Sequence, residues 1–406
     1  MNVLFVEPSF PDNQREFVRA LHSVGATVYG IGERPEEWLD GETRSRLAAY
    51  QRISSVTDEG ALEWAVREAQ KHVWIDRLEA TVEAHILPTA HVRERTGIPG
   101  ISSRTAYLCR DKVAMKAALR DAGVPTAASA GVASLAEARD FAHAVGYPVI
   151  LKPRDAAGAA GTFRAGSDEE LERVARECGA AHGAPAAIEE FVEGHEGFYD
   201  TLTIEGTVAH DFVSHYYPNV LEAMRTRWIS PQIVATNRMG ADAYQEIYEM
   251  GRRVNAALGI STAATHTEWF YGPKGLRFSE IGCRPPGVGQ WDSYNAANEF
   301  DLYREWAMAV CHHRTEARPS RRYACGMIAL RPDGDGTIAG YEGVEEAFGR
   351  YGDLVVAHRF PEPGTPTQGV EAGYMANAWM RVRHEDYDAL RGILNDIGER
   401  VQVRTR

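Results

Sequence analysis

Cysteine is scarce and scattered: Cys109, Cys178, Cys283, Cys311 and Cys325 are the only five, with no CxxC pair among them. A disulfide framework and a cysteine-based zinc site are therefore not expected. No stretch approaches the roughly 18 apolar residues that a membrane-spanning helix requires, and the chain carries neither internal repeats nor low-complexity tracts. Positive charge is also in short supply. Lys and Arg number 44 against 57 Asp and Glu, a formal balance of −13, which argues against nucleic acid or an anionic membrane as partner. The GxGxxG fingerprint is missing from the first strand–helix turn, so a nicotinamide or flavin site is not expected there. Residues 1–8 have no basic leader and no long apolar run. They read as a short strand rather than a secretion signal, and a cytoplasmic protein is the expectation.

What is present is an ordinary globular composition, 44% hydrophobic and 25% charged over 406 residues, which excludes a mostly disordered or fibrous chain. At ~150 residues per domain, two to four domains are expected. Residues 3–6 form a buried-strand run, a helix with Phe17, Val18 and Leu21 on one face follows, and residues 27–31 give a second strand. This β-α-β order predicts a doubly wound parallel sheet. A helix over 111–122 starts at Asp111, and a second over 135–145 is led by Ser134 with Glu137 three residues on. A strand over 148–153 runs into the small-residue loop 156–161, and Ser167 with Glu170 starts a further helix. Residues 187–192 look extended. Strands (201–204, 208–213), a helix (243–258), a hairpin (265–283) and a helix (301–311) follow. The tail from about 320 adds strands at 324–330 and 376–382 and a helix near 385–397.

The hairpin carries the sharpest chemical signal. Pro273, Lys274 and Gly275 fit a three-residue loop with a left-handed glycine. That loop pairs Gly272 with Leu276, Glu268 with Glu280, and His266 with Gly282. Two carboxylates opposite each other on one face lie roughly 5 Å apart at Cβ and repel. A shared proton, a neighbouring cation or a metal ion must compensate, and oxygen ligands favour magnesium. Spacing alone leaves two readings: a metal site, or a solvated hairpin whose glutamates face water. A two-residue turn would put the two glutamates on opposite faces. Arg284, on a rigid Pro285-Pro286-Gly287 turn four residues past Glu280, favours the first, because a fixed guanidinium suits a phosphoryl group in transfer.

These residues, with others upstream, resemble the ATP-grasp superfamily in its carboxylate–amine ligase form, in the amino-acid-ligase and biotin-carboxylase-like branch. Lys112 in Arg110-Asp111-Lys112-Val113 resembles that family's first nucleotide lysine, and Lys152 in Val149-Ile150-Leu151-Lys152-Pro153 the second. Residues 188–196 and the Glu268…Glu280…Arg284 pattern complete the set in family order, over about residues 1–310. The resemblance implies a mixed α/β and α+β architecture, the ATP-grasp fold. Its expected parts are a Rossmann-like doubly wound domain (1–100), linker helices with a small ATP-binding lobe (101–190), a large lobe with the metal site (191–315) and a small C-terminal α+β lobe (316–406).

It also implies roles. Lys112 and Lys152 would reach the phosphates of ATP, and the loop with Gly158 and Gly161 would cover them. Glu189, Glu190, Phe191 and Val192 would border adenine, and Glu196 would take the ribose hydroxyls. Glu268 and Glu280 would hold Mg2+, or Mn2+ in its place. Arg284 and His266 would serve catalysis, although a core histidine is an equal reading of His266. Gly282 departs from the pattern, since many relatives have an asparagine ligand there. Val288 departs from biotin carboxylases, which carry a glutamate at that position. Arg331 resembles an arginine of that branch but reads better as a surface residue. Tyr216, Tyr217, Arg225, Arg227, Trp228 and Trp291 could line an acceptor pocket, or be core or surface. The implied activity is ATP-dependent ligation of a small carboxylate to an amine through an acyl phosphate, on amino acids or similar metabolites, in a homodimer. A small-molecule kinase and a non-catalytic nucleotide-binding protein are the alternatives.

Overall fold

The computed structural model describes residues 1–154 and 161–406. Among the described residues the strands assemble into four sheets. The first contains the strands Asn2–Val6, Thr27–Gly32, Leu47–Arg52 and Arg77–Glu79, all parallel, with Asn2–Val6 and Thr27–Gly32 side by side at the centre. The predicted doubly wound unit is there because Val3, Leu4, Phe5 and Val6 are all buried, as a strand covered on both faces must be. The helix Gln14–Ser23 turns Phe17, Val18 and Leu21 inward, as its spacing predicts.

A second, four-stranded antiparallel sheet is built from Ser129–Val132, Val149–Pro153, Phe163–Ala165 and Ala186–Glu190. Its helices start where the capping residues said. Ser134 accepts from the Glu137 amide and Ser167 from the Glu170 amide. In return each glutamate carboxylate accepts a backbone N–H one residue before the cap, from Ala133 and Gly166. This sheet has its own core of Val132, Val149, Leu151, Leu171 and Ile188.

The third sheet has eight antiparallel strands. Its order runs from Gly275–Gly282 through Ala263–Gly272, His195–Ile204, Thr207–Tyr217 and Gln232–Ala235 to Ala324–Leu330, Ala378–His384 and Val355–Arg359. The tail strands thus extend the central sheet, while Ile338–Glu342 and Gln402–Thr405 pair separately. Aromatic packing joins the parallel sheet to this one. Phe17 meets Trp291, Tyr303 and Trp306 at ring-centroid distances of 5.3, 5.0 and 5.0 Å. Such pairs add about 0.5–1.5 kcal/mol each beyond their area. No helix among the described residues is long and apolar enough to cross a membrane.

Candidate active site

The hairpin differs from its sequence reading in one respect that matters. Gly275 has the left-handed φ of 73°, but it pairs with Gly272 across a two-residue turn, and Tyr271, Phe270 and Trp269 pair with Leu276, Arg277 and Phe278. That register would drive Glu268 and Glu280 to opposite faces. A β-bulge intervenes: Ser279 and Glu280 together oppose Glu268, after which Thr267 faces Ile281 and His266 faces Gly282. One extra residue on a bulged strand re-aims its side chains. Both carboxylates consequently line one cleft, with Lys112, His266 and Arg284.

The cations arrive from the other elements. Asp111 accepts from the Ala114 amide and starts the helix Lys112–Asp121, and Arg154 clamps the same carboxylate with two hydrogen bonds of 3.0 and 2.9 Å. Lys112 and Lys152 reach Glu280 Oε2 at 3.6 and 3.7 Å. Lys152 is buried on the small sheet opposite Ala187, and Ile150 pairs with Glu189. Glu189 is therefore its diagonal neighbour on one face, with Oε1 3.1 Å from the ammonium.

Sequence reasoning missed Lys116. Four residues after Lys112 it lies on the same helix face, 1% exposed, with Nζ 2.5 Å from Glu189 Oε2. Burial pushes the Glu189 carboxyl up, but Lys116 and Lys152 reverse that and hold it down at about 2. Burial pulls Lys116 down to about 8 against the attraction of Glu189. The i,i+4 lysine spacing was the available signal.

The residues expected to border adenine, 189–192, are held from within. The Glu190 and Phe191 amides donate to Ala128 and Pro148 carbonyls. The Glu190 carboxylate accepts from Lys274 at 2.5 Å and from the Ala128 amide at 3.0 Å, tying the hairpin turn to this segment. The Arg164 guanidinium lies 5.0 Å over the Phe191 ring, and Val192 is buried. Glu196 accepts from the Val220 amide at 2.7 Å; burial and the nearby Glu268 push its carboxyl up to about 8. Gly161 has a φ of 70° beside Pro153. Gly158 and the rest of loop 155–160 lie outside the described residues.

His266 is both core and cleft. Its Nδ1 lies 2.7 Å from Asp200, whose other oxygen accepts from Tyr294 at 2.5 Å, and its Nε2 lies 3.6 Å from Glu268. Burial pulls this imidazole down, but Asp200 outweighs it and raises it to about 9, so the ring is cationic at neutral pH. Burial raises Glu268, and His266 more than offsets that, leaving it lowered.

Arg284 is held by Glu83 from the helix Glu83–Thr96, with Nε donating at 2.8 Å, and Arg110 reaches the other carboxylate oxygen at 3.3 Å. Arg284 and Glu83 are 201 positions apart, so no local pattern could have paired them. Arg331 is not the surface residue expected: half-buried, it donates to the Val370 and Ala223 carbonyls at 2.8 and 2.5 Å. The acceptor-pocket candidates divide. Tyr216 and Trp291 are core, whereas Trp228 is 87% exposed.

Among the described residues no group of three or more His, Cys, Asp or Glu side chains is arranged to hold a metal ion. Two oxygen-donor carboxylates in a cleft with lysines fit magnesium, which takes one or two carboxylates and completes its shell with phosphate oxygens and water.

Residues 117–299 match the ATP-grasp domain family, a span that includes Lys152, Glu189, Glu268, Glu280 and Arg284. The chain is 29% identical over 218 residues to alanine–anticapsin ligase of Bacillus subtilis strain 168, covering 48% of this chain and 44% of that protein. It is 27% identical over 243 residues to an L-arginine-specific L-amino acid ligase of Bacillus subtilis, covering 58% of each. The matches thus span less than two thirds of these curated relatives. An L-amino acid ligase from Bacillus licheniformis superposes with a TM-score of 0.79 at 18% identity, over 100% of this chain and 98% of that one. An N5-carboxyaminoimidazole ribonucleotide synthetase from Thermotoga maritima gives 0.72 at 16%, over 100% and 99%. What these comparisons show is an ATP-grasp domain match at residues 117–299, a little under half of the chain.

Proposed function

We propose that this protein is an ATP-dependent carboxylate–amine ligase acting on amino acids or small amino-acid-like metabolites. One observation carries the reading: Lys112 from the linker helix and Lys152 from the small sheet meet at Glu280 of the hairpin, 3.6 and 3.7 Å from one oxygen. Two ammonium groups beside two carboxylates match a nucleotide's polyphosphate and its counterion. The names of the aligned relatives, amino-acid ligases in both cases, support the same class.

Each residue then has a task. Lys112 and Lys152 bind phosphate oxygens, and Lys116 with Glu189 fixes Lys152 in place. Glu268 and Glu280 would hold the magnesium ion, which when bound offsets phosphate charge. Val192 and Phe191 border the base, and Glu196 faces the ribose. The substrate carboxylate becomes an acyl phosphate that the amine attacks, leaving an amide, ADP and phosphate. Arg284 stabilises charge on the transferring group, so catalysis is mostly positioning and electrostatics. An amino acid offers a carboxylate and an ammonium, and the same cleft offers Arg110 and Arg284 beside Glu83, groups of the opposite signs. The working units in this reading are residues 1–100, 101–190, 191–315 and 316–406.

A phosphate-release screen over amino acids, singly and in pairs, followed by mass spectrometry of any hit, tests the reading. Release that needs both a carboxylate and an amine, with a condensed product, supports it. A stable phosphorylated product without amine would make the protein a kinase instead.

A further inference from the structure

Glu196, the ribose contact of the proposed ligase, owes its setting to a turn from elsewhere in the chain. Asn219 spans the backbone on both sides of His195. Its Oδ1 accepts from the Glu196 amide at 3.0 Å, and its Nδ2 donates to the Gly194 carbonyl at 2.8 Å. The next residue, Val220, donates its amide to Glu196 Oε2 at 2.7 Å. One turn thus grips both the main chain and the carboxyl group of the same glutamate. The hairpin also presses on this segment, since a Cβ built on Gly194 would lie 2.4 Å from the Tyr271 carbonyl oxygen.

Asn219 immediately precedes the short helix Val220–Ala223, a place where an asparagine ordinarily caps its own helix. It makes no such bond. Both ends of its amide are committed across the chain, and in one orientation only, because a flipped amide would set donor against donor and acceptor against acceptor. Residues far along the chain hold the turn. Tyr374, 6% exposed, donates its hydroxyl to the Pro218 carbonyl. Arg331 donates to the Ala223 carbonyl at 2.5 Å and to the Val370 carbonyl at 2.8 Å. Tyr374 and Arg331 both lie beyond the matched residues 117–299.

We propose that Asn219 is a positioning residue for the nucleotide's ribose, acting through Glu196, and that Tyr374 and Arg331 make the tail of the chain part of that site. Val220 occupies Oε2, which leaves Oε1 to accept from a ribose hydroxyl. A carboxyl group fixed through one oxygen and through its own backbone amide has little freedom left to lose when the sugar binds. The proposal rests on the ligase reading, and within it on Glu196 facing the ribose.

Calorimetric affinities for Mg-ATP and for its 2′,3′-dideoxy analogue, measured on the full-length protein without a substrate carboxylate, test it. The wild-type protein should bind ATP about tenfold more tightly than the dideoxy nucleotide. Asn219→Ser keeps a good cap residue but is too short to span Gly194 and Glu196. It should leave the dideoxy affinity unchanged, which shows the fold and the phosphate contacts intact, and bring the ratio close to one. Tyr374→Phe removes only the hydroxyl and keeps the ring beside Tyr216, at a centroid distance of 5.1 Å. It should lower the ratio by about twofold to fivefold.

Equal loss of affinity for both nucleotides in Asn219→Ser would mean a merely structural role, and an unchanged ratio no role. Either result overturns the proposal while a discriminating wild type still supports Glu196. An unchanged ratio in Tyr374→Phe would remove the tail from the site. A wild-type protein that binds both nucleotides equally would refute the ribose role of Glu196 and the proposal with it, and one that binds no ATP would defeat the ligase reading itself.

Discussion

Gly282 makes room for Glu83: a Cβ built on this glycine would lie 2.8 Å from the Glu83 carboxylate oxygen and 3.3 Å from Arg284 Cγ. The resemblance would put an asparagine at this position; here the space beside the glycine is taken by the Glu83 carboxylate that holds Arg284.

Gly282→Asn should therefore lower activity, not restore a lost ligand. The obstructing atom is the end of a flexible side chain, so the fold accommodates the change and the melting temperature moves little. Glu83 is displaced, Arg284 loses its anchor, and kcat falls by about tenfold or more. Steady-state kinetics beside thermal melting checks this; a gain in activity would contradict it.

Lys152→Ala should weaken nucleotide binding. A charge-assisted hydrogen bond contributes about 1.5–3 kcal/mol, so ATP affinity should fall by about tenfold to a hundredfold. Calorimetric titration with Mg-ATP measures it, and wild-type affinity would refute the role of Lys152.

Glu280→Gln should act on turnover. The amide keeps the shape but removes charge beside Lys112 and Lys152, and a preorganised charge is realised chiefly in the transition state. A loss of about a hundredfold in kcat, with ATP affinity changed far less, is expected. Unchanged turnover would count against the metal assignment.

Glu189→Gln should destabilise the fold. It leaves Lys116 and Lys152 buried without their carboxylate, and breaking a buried pair costs about 3–5 kcal/mol. Because the folded Glu189 carboxyl is held at about 2, below its ordinary 4.5, its contribution is complete above pH 4.5 and is lost as pH falls towards 2. Urea unfolding of both proteins should show the gap at neutral pH and its narrowing in acid; a gap independent of pH would oppose this account.

The local rules of helix starts were readable directly. Asp111, Ser134 and Ser167 all accept the backbone N–H hydrogen bond expected of a cap. The family resemblance singled out Lys112, Lys152, Glu268, Glu280 and Arg284, and the structure brings them to one place. The hairpin register could not. A bulge inserts its extra residue without any mark in the residue pattern, and here it rescued a pairing that the turn itself had set one residue off. Glu83 and Lys116 went unread for different reasons. Glu83 meets Arg284 only through tertiary packing, and Lys116 gains its partner only where Glu189 of the small sheet packs against its helix.

The most direct measurement of the central claim is the product of a complete reaction with Mg-ATP, an amino acid carboxylate and an amine, resolved by mass spectrometry alongside ADP. The account predicts ADP and phosphate formed in step with a new amide, both abolished in Glu280→Gln. ADP formation that ignores the carboxylate, or a product bearing phosphate instead of an amide, would contradict it.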